Sequence, residues 1–242
     1  MGGIDALLLK IKRGENPFFR QLRAVGYALF QANLPVPRVL RPALAFLYNL
    51  HFLVWLGFRT LKTLVYSEPL FRARCEIAGK RLHVALLPRL VGHPRIRIGN
   101  DVKFHGRVTI IDAGGTGAEL IIEDGAQIGH LVTFVIARQI IIRAGAGISS
   151  ECFVTDTDSP VFDAHELAIG HLDAAPVDIG EQAWVGHGSS ILKGVKIGAA
   201  AMVGVGSVVA ADVPDHSVAM GNVARIVKRA RPEPVSATTL RG

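Results

Sequence analysis

A parallel β-helix of six-residue repeats is the fold this sequence predicts for its C-terminal two-thirds, with a helical region in front. Three observations carry that expectation. From Ile179 an aliphatic, β-branched residue returns every six positions: Ile179, Val185, Ile191, Ile197, Val203 and Val209. Four places after each stands a small or β-branched residue: Ala183, Ser189, Val195, Ala201, Ser207 and Val213. The first 75 residues show no such rhythm. A helix needs apolar spacing of 3.6 and an open sheet a spacing of 2, so a period of six fits neither. Short strands that turn a corner every six residues satisfy it, and stacked repeats of this kind build a solenoid.

Residues 1–75 read as a helical, apolar and basic N-terminal region. Pro17 and Pro42 are both placed to open helices, because proline has no N–H to leave unpaired in a first turn. The first helix covers FFRQLRAVGYALFQANL and the second ALAFLYNLHFLVWLGF, residues 43–58, apolar nearly all round. Arg38, Arg41, Arg59 and Lys62 flank the second. Its apolar run is shorter than the roughly 20 residues of a membrane span. The pattern suits helices lying in a membrane interface, cations at the headgroups, through residues 1–66. Capping the open end of the solenoid is the competing role.

Residues 76–97 are expected to be a linker and cap, residues 98–215 the β-helix, and residues 216–242 a closing strand and basic tail. In the β-helix the same frame runs through Ile98, Phe104 and Ile110, then Ile122, Ile128 and Phe134. After a two-residue slip it runs through Ile142, Ile148 and Val154. Between Val154 and Ile179 the rhythm stops, which predicts a loop over 155–177 leaving the coil. Long insertions in solenoids often lie on the binding face.

Charge divides along the same boundary. Residues 1–97 hold 16 Lys/Arg against 4 Asp/Glu, and residues 98–224 hold 6 against 15. The overall +7 therefore describes neither part. No aromatic–basic interleaving, zinc spacing or helix-turn-helix pattern accompanies it, so nucleic acid is not an expected partner. Two cysteines, Cys75 and Cys152, with no secretory signal, point to a reduced, cytoplasmic protein. No Cys/His grouping predicts a metal site.

The segment IGEQAWVGHGSSILKGVKIGAAAMVGVGSVVAADVPDHSVAMGNVARIVKR, beginning at Ile179, resembles the C-terminal coils of the hexapeptide-repeat acyltransferases. The likeness is to sugar and polysaccharide O-acetyltransferases. The W-V-G-H stretch, the G-V-G-S-V-V turn, the D-V-P-D-H-S-V exit and the closing G-N-x-A-R-I-V-K carry it. The resemblance implies a left-handed coil, a homotrimer, and acetyl-CoA as acyl donor in a cleft between subunits. It implies a saccharide or lipid-linked saccharide acceptor, acylated on a hydroxyl or amine. Trp184, His187, Val205, Gly206, Ser207 and Lys228 match positions that line the CoA channel in that family.

The family's general base is a His before Pro in the loop, and Ser159 stands there before Pro160. His165 and His171, in the same loop, are the first candidates to replace it. Asp156 and Asp158 are the second, acting alone or orienting His105 or His130. Asp156, Asp158 and Asp163 have a plainer role open to them, side-chain hydrogen bonds at a turn. A catalytically silent trimeric scaffold in envelope-polysaccharide assembly is the rival reading of the whole chain.

Overall fold

The structure is a computed structural model that describes residues 9–10, 12–13, 16–31, 36–114, 117–158 and 173–229. It divides into two compact units, Met1–Val54 and Trp55–Gly242.

In the first unit, helix α1 spans Pro17–Gln31. Asn16 caps it, its Oδ1 accepting the Phe19 N–H at 2.9 Å, with Pro17 in the first turn where no N–H is missed. A 3-10 turn at Arg38–Leu40 leads into helix α2, Arg41–Lys62, with Pro42 as its second residue. The helix therefore outruns the apolar stretch 43–58. Arg59, Leu61 and Lys62 are good helix formers, so hydrophobicity ends before helicity does.

The second unit carries the end of that helical run. A π-helical turn, Thr63–Ser67, precedes helix α3, Glu68–Arg72. Pro69 has no N–H for the carbonyl four residues back and its ring crowds it, and the widened turn absorbs the conflict. Phe71 is fully buried and meets Phe104 edge-on at 5.4 Å, closing the bottom of the β-helix. Arg72 pins the junction, donating from Nη1 to the carbonyls of Ala78 and Gly79 at 3.3 and 2.8 Å.

Six coils follow, three strands each. The first is β1 (Ile77–Ala78), β2 (His83–Val84) and β3 (Arg89–Val91). The second is β4 (Arg95–Ile98), β5 (Lys103–Phe104) and β6 (Val108–Asp112). The third is β7 (Glu119–Ile122), β8 (Gln127–Ile128) and β9 (Val132–Ile136). The fourth is β10 (Gln139–Ile142), β11 (Gly147–Ile148) and β12 (Phe153–Thr155). The fifth is β13 (Val177–Ile179), β14 (Trp184–Val185) and β15 (Ser190–Ile191). The sixth is β16 (Lys196–Ile197), β17 (Met202–Val203) and β18 (Val208–Val209). Strand β19 (Ser217–Met220) adds to the second face, and β20 (Arg225–Arg229) closes it antiparallel.

The strands stack into three parallel faces, one strand per coil in each. Every hexad residue expected inside is buried, from Ile98 to Val209, and so is every small partner from Val102 to Val213. The solenoid starts one coil before the expected boundary: residues 77–91, expected as linker and cap, pair with the second coil. Ala78 and Leu90 hold the aliphatic positions there and are only partly buried, as an end coil permits.

Coil lengths differ at one edge alone. From the first face to the second and from the second to the third, successive core residues stay six apart. From the third face back to the first, the step is 8 residues (Leu90 to Ile98), 12 (Ile110 to Ile122), 8 (Phe134 to Ile142) and 25 (Val154 to Ile179). Register survives every insertion: Ile140 still pairs with Val177 and Ile142 with Ile179.

Candidate functional site

The long insertion leaves this third-to-first edge through a closed neck. Thr157 bridges Ala174 antiparallel, the Ala175 N–H reaches the Asp156 carbonyl at 2.9 Å, and Gly194 donates to the Ala175 carbonyl at 2.9 Å. Below the neck Asp156 is fully buried. Its Oδ1 accepts the Ala137 N–H at 2.6 Å, and its Oδ2 accepts Arg138 and Gln139 at 2.7 and 2.6 Å. Burial pushes this carboxyl up from the usual carboxylate range, while the three N–H donors pull it down. With both oxygens engaged by backbone one coil below, Asp156 is a staple of the edge. Its side-chain bonds reach backbone 17 to 19 residues earlier, not its own turn.

Asp158 is exposed at the neck and salt-bridged to Lys193, whose Nζ also holds Asp173 at 2.5 Å. One cation thus ties the outgoing and returning strands of the loop. The two carboxylates raise the Lys193 pKa, mainly through direct hydrogen bonds. Sequence reasoning missed Lys193 and Asp173. The signal available was the placement of acids on both sides of the break with a Lys in the next hexad. Ser159, His165 and His171 lie outside the described residues, as does Asp163.

The candidate cofactor residues sit elsewhere. Trp184 stands half-exposed on the outer side of the second face, its ring over Gly147 one coil below. A Cβ on Gly147 would come within 2.4 Å of Cε3 of that ring, so only glycine accommodates it. His187 and Val205 occupy successive corners between the second and third faces, joined by the Gly206 N–H to the His187 carbonyl at 2.8 Å. Gly206 turns with φ +66, a conformation that costs glycine little. Val205 is strongly exposed, and the exposed His187 ring faces Glu151 of the coil below, Nε2 to Oε2 3.7 Å.

Ser207 departs from the expectation. It is buried, and its Oγ accepts the Gly221 N–H at 3.1 Å, so its hydroxyl braces the last coil rather than facing a ligand. Lys228 is exposed on β20, paired with Val218 across the antiparallel closure. His105 and His130 also sit at second-to-third corners or beside them. His105 Nε2 meets Gln127 Oε1 at 3.2 Å, and His130 Nδ1 accepts the Arg107 N–H at 3.1 Å. Neither reaches the loop edge. Among the described residues no group of His, Cys, Asp or Glu is arranged to hold a metal.

The described half-sites therefore lie on two different edges of the prism, with the third face between them. That face is apolar on its outside: Val91, Thr109, Ile111, Thr133, Val135, Phe153, Ser190, Leu192 and Val208 project from its strands or strand ends. Among the described strand residues of that face Arg89 and Asp112 carry charge, Asp112 being buried at the end of β6.

Solved structures share this architecture. AntD, an N-acyltransferase from Bacillus cereus, matches in complex with dTDP-4-amino-4,6-dideoxyglucose and coenzyme A. That match has 20% identity over 68% of this chain and 89% of AntD, with a TM-score of 0.55. AntD with dTDP and 3-hydroxybutyryl-CoA matches at 19% identity over 68% and 88%, also with a TM-score of 0.55. This chain shares the hexapeptide β-helix fold of AntD. No protein-family profile and no curated protein sequence matches it. At this identity the likeness speaks for the hexapeptide fold, and the matched share corresponds in size to the β-helix.

Proposed function

We propose that the protein transfers an acetyl or other acyl group from acyl-CoA to a hydroxyl or amine of a sugar or polysaccharide precursor. One observation carries the reading. In a solenoid regular at two edges, the third throws out a 25-residue break whose neck is held by Asp156 and Lys193. A fold found in CoA-bound acyltransferases, with a ligand-scale loop built into a rigid edge, is suited to group transfer.

The half-sites on two edges explain why a homotrimer belongs to this reading. Packing the apolar third face of one subunit against the next brings the loop edge of one beside the Trp184–His187–Val205 corner of its neighbour. Acetyl-CoA would lie along that corner, its thioester toward the loop, with Lys228 available to phosphate. The acceptor O–H or N–H attacks the thioester carbonyl and gives its proton to a loop base. The C–S bond then breaks and CoA leaves as the thiol. We assign the base to His165 first and His171 second, the imidazole being suited to proton exchange near neutral pH.

Two free thiols fit a reducing, cytoplasmic setting. The helical run Arg38–Arg72 is long and apolar enough to cross a membrane by length and composition, and its apolar window is fully unburied. We place it at the membrane interface, which would present a lipid-linked saccharide to the enzyme.

The test is an acceptor screen with full-length protein and acetyl-CoA, reading free CoA. Replacing His165 and His171 by Ala is expected to slow transfer by roughly 10²–10⁴-fold while CoA affinity stays the same. Unchanged turnover in the double variant would move the base elsewhere. An inert parent that gains activity on Ser159→His would instead favour the silent scaffold.

A further inference from the structure

The cations of the β-helix are not spread along its axis. Residues 73–112, which build the first two coils, hold 8 Lys/Arg against 3 Asp/Glu, while residues 113–224 hold 4 against 13. Around the axis, in contrast, the basic residues are evenly distributed. Arg95 projects from the first face, Lys103 from the second and Arg89 from the third, Lys80 and Arg107 from the segments between faces, and Arg74 from the turn before β1. All six are exposed, and none is ion-paired among the described residues. A ring confined in height but complete in circumference matches a plane at the end of the solenoid, not a partner along one side.

That end also carries the unburied apolar surface of the second unit. Leu64, Val65, Tyr66 and Leu70 are exposed on the π turn and α3, and Ile77, Leu86 and Leu87 on the first coil. The segment is firmly joined to the coil by Phe71 under Phe104 and by Arg72 on the Ala78 and Gly79 carbonyls. Whatever the exposed helix enters, the basic ring must meet at its boundary.

We propose that the first two coils form an electrostatic platform for an anionic phospholipid bilayer, on which the solenoid docks end-on. The proposal rests on the interfacial membrane reading above and extends it from the N-terminal helices to the β-helix itself. Coils stack about 4.8 Å apart, so the ring lies within about 10 Å of the solenoid end. That is roughly one Debye length at 0.1 M salt, so the platform cations feel the headgroups. The third and fourth coils, residues 113–158 with 6 Asp/Glu against 2 Lys/Arg, stand about 10–15 Å from that end, beyond a Debye length, where screening weakens their repulsion. A nucleic acid also favours cations but has no use for the exposed apolar rim.

Full-length protein is to be sedimented with vesicles of phosphatidylcholine alone and with 30% phosphatidylglycerol. Wild type should bind the anionic vesicles at least about tenfold more tightly, as several surface cations near headgroups allow, and lose that preference in 0.5 M salt. The six-fold variant Arg74→Gln, Lys80→Gln, Arg89→Gln, Arg95→Gln, Lys103→Gln and Arg107→Gln should keep binding to neutral vesicles and lose the preference. The milder set Arg95→Gln, Lys103→Gln and Arg107→Gln should lose part of it, guarding against a misfolded six-fold variant. Lys196→Gln, on the sixth coil, should leave it intact. An undiminished anionic preference in the ring variants overturns the platform while the helix reading survives. No binding to either vesicle overturns both, and tighter binding to duplex DNA than to anionic vesicles gives the ring to another partner.

Discussion

At the scale of single residues, Asp156 shows how one buried carboxylate can hold an edge of the coil together. Its three backbone N–H partners belong to the turn between the third and fourth coils, so truncating it orphans donors in a buried place. Asp156→Ala is expected to lower stability by about 3 kcal/mol, since an unsatisfied buried donor costs about 1–3 kcal/mol. Asp158→Ala should cost less than about 1 kcal/mol, as exposed ion pairs do. Urea unfolding of the two variants checks the order, and equal losses would contradict the buried role. In the sequence the two aspartates are alike, two residues apart in one polar stretch. Burial distinguishes them, and burial follows from which side of the β12 exit each side chain takes.

At the scale of elements, the coils keep register across a break of 25 residues because the fifth coil has its own complete set of core residues. Val177, Ile179, Val185 and Ile191 are all fully buried. Pairing and burial on both sides of the insertion are independent of its length. Replacing residues 159–172 by a short Gly-Ser linker should therefore shift Tm by no more than about 4 °C, loop closure costing little per doubling of length. Acyl transfer should disappear. A melting loss far beyond that figure, followed by circular dichroism, would mean the loop contributes to the core.

At the scale of the molecule, the proposed trimer would complete its site across the third face. The described loop neck and the Trp184–His187 corner are on separate edges, and the face between them has an apolar exterior. Phe153→Glu together with Val208→Glu places two charges on that face without touching either edge. The expected outcome is a monomer by light scattering in mild detergent, with an unchanged far-ultraviolet spectrum and no transfer. A variant that remains trimeric would show that subunits meet through another face. The charge gradient along the axis belongs to the same scale, because it appears only when the 40 residues 73–112 are wound into two coils.

The period-six pattern by itself determined the solenoid and its interior, because each inward position at Ile98–Val209 takes an apolar residue, Phe104 and Phe134 included, and so leaves its mark in the chain. It read less clearly in the first coil, where Ala78 and Leu90 flank the fully buried Val84 in the same frame but neither is β-branched. Of the positions matched by motif to a CoA channel, Trp184, His187 and Val205 are exposed, whereas Ser207 is internal. Motif spacing does not record which way a side chain turns at a corner. Only the tertiary structure joined Lys193 to Asp158 and Asp173, residues up to 35 positions apart, because a coil brings residues together by height and edge. For the same reason it alone separated the loop from the cofactor corner: distance in this fold is set by the winding of the coil, and nothing along the chain measures it.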